Sequence, residues 1–314
     1  MQAHRLLSAL ALVAGSTIAA GCASGTQVAP PAGSAALPSV ARVGWLSPQA
    51  KHGGQLYVAD QPNQRVAIFS QRTGAPTGQI TDAISGPDGL YVDPSGTLYV
   101  CNFGGGTITE YPKGQTTHSK TLTGTVAPKF VVAGRDGTVY VGDYGDGSGG
   151  NVEEYANGST TPTLLISFAS GPLGVALDKH NKLYVAYNNG NNFDIEVLKF
   201  KPGSSNGKNL GIHIKNGNAG GLAFDENDDL LLVDQSLPGV DIFPPGATTP
   251  SKQIKGFSKA YQIALNQKNT HLFVSNPSGP SVKEVAYPSG TPIRSFSSSL
   301  SAAFGVATSP DSPY

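Results

Sequence analysis

A short apolar strand ending in a polar residue recurs every forty-odd positions, and no other feature of the sequence constrains the fold as tightly. Its clearest copy is Leu56-Tyr57-Val58-Ala59-Asp60. The others are Leu98-Tyr99-Val100-Cys101-Asn102, Val139-Tyr140-Val141-Gly142-Asp143, Leu183-Tyr184-Val185-Ala186-Tyr187, Leu230-Leu231-Leu232-Val233-Asp234 and Leu272-Phe273-Val274-Ser275-Asn276. A period of this length that carries strands and no helical pattern predicts one β-sheet blade per repeat, each unit burying its faces only against its neighbours. The expected fold is therefore all-β: a six-bladed β-propeller of four-stranded blades.

The second repeat shows the internal order of a blade. Gly89 to Val92 and the Leu98 strand are nearly continuous in apolar residues, as strands covered on both faces must be, and the turn Asp93-Pro94-Ser95-Gly96 joins them. Ile108 to Tyr111 alternates and is expected to be half exposed. A polar edge follows near Lys120 to Thr123. Phe304-Gly305-Val306-Ala307-Thr308 copies an innermost strand with no second strand after it, so it is expected to complete the blade opened by Leu56. Such a C-terminal strand clasp removes a free sheet edge. Val43-Gly44-Trp45-Leu46 competes for the same slot.

The ends of the chain read differently. His4 and Arg5 precede an apolar stretch, Leu6 to Ala20, shorter than the roughly 20 residues of a membrane span. Ala19-Ala20-Gly21-Cys22 is similar to a bacterial lipobox, apart from Ala19 where leucine is usual. Residues 1–21 are thus expected to be a signal peptide, Cys22 the lipidated residue, 22–40 a Pro/Ala/Ser-rich tether and 41–314 the propeller. The expected location is the bacterial cell envelope, lipid-anchored at the outer membrane or facing the periplasm. Once Cys22 is lipidated Cys101 is the only thiol, in a strand slot that selects small or apolar residues. With 21 basic and 21 acidic residues there is no field to attract nucleic acid, and the membrane is reached only through the lipid. A monomer is expected.

At Gly54 to Phe69 the run GQLYVADQPNQRVAIF resembles the NHL repeat, with its Tyr-Val-Ala-Asp strand and the Asn63-x-Arg65 step. The other repeats keep the strand and lose Asn-x-Arg. The resemblance implies a propeller related in outline to gluconolactonase-like and streptogramin-lyase-like proteins. It also implies that the loops entering innermost strands and those leaving second strands share one face. Two polar rings on that face are the candidate ligand-binding residues: Asp88, Lys129 and Tyr261 around the innermost strands, and Asp60, Asn102, Asp143, Tyr187, Asp234 and Asn276 at the ends of the second strands. The bland alternative is that the strand-end Asp and Asn cap loop backbone, and that Asp88 and Lys129 form an ion pair between blades.

The two enzyme types in this resemblance meet obstacles in the sequence. A gluconolactonase-like metal site needs a glutamate; Asp88 and Asp234 resemble other ligand positions, yet Glu110, Glu153, Glu154, Glu196 and Glu284 fall on third strands and Glu226 in a turn of the opposite face. Lyase chemistry needs a histidine base, but His52, His180 and His271 lie in opposite-face turns and His118 and His213 in outer segments. Asp143 to Asn151, with Asp146, offers oxygen donors suited to calcium but lacks the EF-hand spacing and glutamate. No cofactor is expected. The loop face is expected to bind a protein, peptide or glycan, with Asp146 and the aromatics Tyr144, Tyr187, Phe193 and Tyr261 on its rim; a metal-dependent hydrolase or lyase on the same face is the alternative.

Overall fold

The computed structural model describes residues 44–47, 50, 53–189 and 193–310. The expected leader, Cys22, the tether and His52 lie outside them. The described chain forms six antiparallel blades in a propeller. The repeated strand stands second in each blade: Gln55–Asp60, Leu98–Asn102, Val139–Asp143, Leu183–Asn189, Leu230–Asp234 and His271–Asn276, which number blades 1 to 6. The innermost strands of blades 2 to 6 are Pro87–Val92, Pro128–Ala133, Pro172–Leu177, Ala219–Phe224 and Ile263–Leu265.

Blade 1 is completed from the far end of the chain. Val306–Thr308 pairs antiparallel with Gln55–Asp60, placing Val306 opposite Val58 and Thr308 opposite Leu56. Backbone bonds from Phe304 N to Ala59 O and from Ser309 N to Gln55 O extend the clasp at both ends. Trp45–Leu46 does not take this slot; it pairs with Gln79 and Gly78 on the outside of the fourth strand, so blade 1 has five strands.

The Asn-x-Arg step has its physical explanation here. Asn63 Nδ2 and Arg65 Nε both donate to Asp60 Oδ2, at 2.7 and 2.9 Å. Asp60 Oδ1 accepts from the amides of Ser301 and Ala302, and Arg65 also donates to Ser299 O. The motif therefore grips the loop that delivers the closing strand. Blade 1 alone draws its strands from both ends of the chain, and it is the blade that keeps the motif whole.

The core is distributed as six apolar clusters, each shared by two adjacent blades. Tyr57, Ile68 and Ile80 meet Leu90, Val100 and Tyr111 between blades 1 and 2, and Phe273, Val282 and Phe296 meet Leu56, Val58 and Phe69 where blade 6 closes on blade 1. Because both faces of every blade are covered, the third strands are more buried than their alternation suggests: Thr109, Glu153, Asp241 and Glu284 are all buried. The Glu284 carboxyl is met by Arg294 Nε and His271 Nδ1, each at 2.6 Å.

At the axis the innermost strands approach backbone to backbone. A Cβ on Gly89 would collide with the Lys129 carbonyl of the next blade, and one on Gly305 with the Asp88 carbonyl. These glycines are required for space, not for an unusual φ. Gly89→Val and Gly305→Val are each expected to destabilise the fold by about 3 kcal/mol or more, and removal of residues 304–314 to add aggregation through the bared edge of Gln55–Asp60. Thermal unfolding with light scattering measures both; variants that melt like the parent would contradict this account of the axis.

Candidate functional site

The second-strand ends behave alike in five blades. Asp60 accepts from Ser301 and Ala302, Asn102 from the Ser85 amide, Asp143 from the amides of Val126, Ala127 and Gly145, and Asp234 from those of Asn218 and Ser236. Asn276 donates to Ser258 Oγ and accepts from the Gly279 amide. In each case a buried side chain ties its own blade's incoming loop, its outgoing loop, or both, so that its polar atoms are satisfied by loop groups.

Blade 4 differs. The corresponding residue is Tyr187, whose hydroxyl donates to Glu196 Oε2 at 2.7 Å and whose ring packs on Phe168. Among the described residues no side-chain carboxylate or amide bonds to the loop of residues 169–171. A pocket of about 640 Å³ opens there, lined by Tyr144, Gly147 and Gly149 of blade 3, Ser170, Gly171, Leu173, Asn188 and Phe193 of blade 4, and Asn216 to Asn218 and Ser236 of blade 5. Its volume falls within the roughly 300–1,000 Å³ usual for small-ligand sites.

The pocket walls are held from behind. Asp143 fixes the start of the glycine loop, and Asp146, itself exposed, accepts from the amide and hydroxyl of Ser148 and so closes its turn. Those bonds hold the Asp146 carboxyl below its usual range. Gly171 lies so close to Tyr144 that a Cβ there would be 2.9 Å from Tyr144 Cα. On the other side Asp194 takes the Asn216 amide, Asp234 the Asn218 amide, and Asn188 accepts from Ala219 N at 2.9 Å. Asn188, one residue past the repeat's polar position, is the cap that the repeat alignment passed over.

The inner ring sits apart from this pocket. Tyr261 packs between Phe130 and Phe304, with ring centroids 5.5 and 5.7 Å away, and the three fill the loop-face end of the axis. Beneath them is a shaft of about 250 Å³ lined by all six innermost strands. Asp88 is buried with Oδ1 unpartnered, and burial pushes its carboxyl up to about 7 against the pull of the Tyr261 hydroxyl and the Lys129 charge. The expected ion pair does not form: the Lys129 ammonium lies over the Tyr144 ring, 4.0 Å from its centroid, with Phe103 at 5.8 Å. Desolvation lowers the Lys129 pKa. Among the described residues no three His, Cys, Asp or Glu side chains converge in a way that would hold a metal ion.

A second buried carboxyl, Glu153, stands behind Asp143 with Oε2 unpartnered. Burial, then the Asp143 charge, push it up to about 9. Burial and the neighbouring carboxylates raise the thiol of Cys101 well above its usual value, so it stays protonated.

Five of the large apolar side chains that are exposed gather on the loop face of blades 2 to 5: Phe103, Val126, Tyr144, Phe193 and Leu237. Of the ten residues expected to bind ligand, Asp143, Asp146 and Asp234 brace the pocket walls, Asp60, Asn102 and Asn276 cap other blades, and Asp88, Lys129 and Tyr261 surround the plugged axis. Tyr187 faces Glu196. None lines the pocket.

The class defined by this architecture is the six-bladed β-propeller. No protein-family model matches the sequence, and no curated protein matches it. Among solved structures the chain is similar to one from a nidogen/laminin complex (15% identity, TM-score 0.64, covering 82% of this chain and 98% of that one). It is also similar to a protein of unknown function from Bacteroides caccae (12%, TM-score 0.64, 82% and 99%) and to a functionally unknown protein from Desulfotomaculum acetoxidans DSM 771 (17%, TM-score 0.61, 83% and 100%).

Two outcomes test this site. Asp143→Ala strips three amides of their acceptor and is expected to cost about 2–4 kcal/mol in urea unfolding; a loss below about 0.5 kcal/mol would contradict the capping role. Glu153 in the fold keeps its proton to about pH 9, whereas the unfolded chain releases it near the ordinary glutamate value of 4.5. The stability it contributes is therefore fully present below pH 4.5 and is lost as pH rises toward 9. Glu153→Gln is expected to match the parent at pH 4 and exceed it by about 3 kcal/mol at pH 7. A pH-independent difference would refute the assignment.

Proposed function

We propose that the protein is an exported, membrane-tethered β-propeller of NHL type that binds a protein, peptide or glycan of the bacterial cell envelope on its loop face and acts as a monomer. The observation that carries this reading is the arc of Phe103, Val126, Tyr144, Phe193 and Leu237, which wets large apolar groups on one face around a preformed pocket. Clustered exposed apolar side chains are costly unless something covers them. The uncharged lining of the pocket and the burial of Asp88 favour binding over acid–base chemistry. A structural neighbour taken from a complex of two proteins, nidogen and laminin, is consistent with this use of the fold.

The tether rests on the apolar stretch Leu6 to Ala20, which runs into Gly21-Cys22, and the NHL type on the Asp60, Asn63 and Arg65 cluster. Chemical cross-linking of the full-length protein in a bacterial envelope tests the reading. Phe193→Asp and Leu237→Asp are expected to reduce the cross-linked product at least about tenfold, while Leu165→Asp on an outer strand leaves it intact, and Cys22→Ser moves the protein from the membrane to the soluble fraction. Loss with Leu165→Asp but not with the loop-face variants would place binding on the outer strands instead.

A further inference from the structure

The chemistry of the blade 3–5 pocket narrows what it accepts. Not one lining side chain carries a formal charge. The nearest carboxylates are consumed elsewhere: Asp143 and Asp234 by backbone amides, Asp194 by the Asn216 amide and by His213 at 3.0 Å. A cationic ligand would be desolvated here with no counter-charge and beside the Lys129 ammonium, which costs several kcal/mol, and an anionic one would find that ammonium engaged with the Tyr144 and Phe103 rings. A purely apolar ligand fits no better, because it would cover polar groups that need partners.

Those groups are of one kind. The side-chain amide of Asn216, the Nδ2 of Asn218 and the hydroxyl of Ser236 make no hydrogen bond among the described residues, and all three residues line the pocket. An amide or hydroxyl set both donates and accepts, which is the pattern a row of sugar hydroxyls presents. Tyr144 and Phe193 stand on blades 3 and 4, 38% and 70% exposed, as ring faces on which the C–H side of a pyranose can stack. Loop backbone, not an open strand edge, lines most of the cavity, so a peptide finds no ladder to join.

We infer that this pocket binds a neutral oligosaccharide, stacked on Tyr144 and Phe193 and read through its hydroxyls by Asn216, Asn218 and Ser236. The inference rests on the loop face being the binding face. It also explains the missing cap of blade 4: a carboxylate in place of Tyr187 would project toward the loop that forms the pocket floor.

The test is calorimetric titration of the full chain with cello-, malto-, manno- and chitotetraose, set beside tetragalacturonate and an uncharged Ser/Asn/Gly peptide. At least one neutral tetrasaccharide is expected to bind, and to bind at least about tenfold more tightly than either comparator. Tyr144→Ala and Phe193→Ala should each weaken it about tenfold and Ser236→Ala by less, with Leu165→Ala, on an outer strand away from the pocket, unchanged. Circular dichroism and melting temperature establish that the variants are folded; should Tyr144→Ala fail to fold, Phe193→Ala and Ser236→Ala decide. No neutral tetrasaccharide bound at millimolar concentration, tighter binding of a comparator, or indifference to Phe193→Ala overturns the inference. If saccharide binding fails while the envelope cross-link is still lost in Phe193→Asp, only the ligand class is wrong; if both fail, so does the loop-face reading.

Discussion

The close backbone approach of the innermost strands at the axis sets the geometry of everything else. Gly305 against the Asp88 carbonyl, Gly89 against the Lys129 carbonyl and Gly220, where a Cβ would lie 2.6 Å from the Tyr261 carbonyl oxygen, fix how near adjacent blades stand. At that spacing side chains of neighbouring second and third strands interdigitate into the six interblade clusters, and close packing leaves little latitude for a wider ring. Where the axial position is not glycine it is used as filling. Phe130 packs under Tyr261, and Gln262 bridges three blades by accepting from Leu90 N and Val306 N and donating to Leu90 O.

A ring made this way is as strong as its seam. Blade 1 joins residues nearly the whole described chain apart, and the loop-closure entropy of that union has to be met by local interactions. Hydrogen bonds across the Val306–Thr308 clasp meet part of it, and the Asp60, Asn63 and Arg65 cluster meets more by fixing residues 299–302 just before the clasp. Elsewhere the same strand position has only to hold a loop within its own blade, for which a single Asp or Asn suffices. That difference in load accounts for one complete motif beside several abbreviated ones.

The blade number, the strand order and the closing strand were legible in the sequence because each follows from periodicity and turn chemistry, which are local. The placement of Trp45–Leu46 was not, because two residues can pair on either edge of a sheet. The site was legible only as a face. Asp and Asn serve equally as loop caps and as ligand groups, and direction decides between them; Asp143 and Asp234 turn inward to amides, while Asn216 and Asn218, with no repeat signature, line the cavity. Alternation of polar and apolar types on a third strand predicts alternating exposure, yet Glu153 is buried because in a propeller both blade faces are covered.

The one signal in the sequence that marked the pocket was a break in a rule. Five repeats end their strand in Asp or Asn and the fourth ends in Tyr187, and the cavity lies against that blade's incoming loop. Giving up a cap leaves a loop with fewer internal bonds, a cost of about 1 kcal/mol or more. The structure offsets it from both sides: Asp143 and Asp146 stiffen the glycine loop, Asn188, Asp194 and Asp234 stiffen residues 216–218, and Ser170 Oγ is tied to the Asn188 carbonyl. Binding groups need such support, since a wall that must be ordered on association spends affinity on its own ordering. The caps of blades 3 and 5 thus belong to the pocket as bracing, and a departure from the repeat in one blade gains its meaning from the repeat being kept in its neighbours.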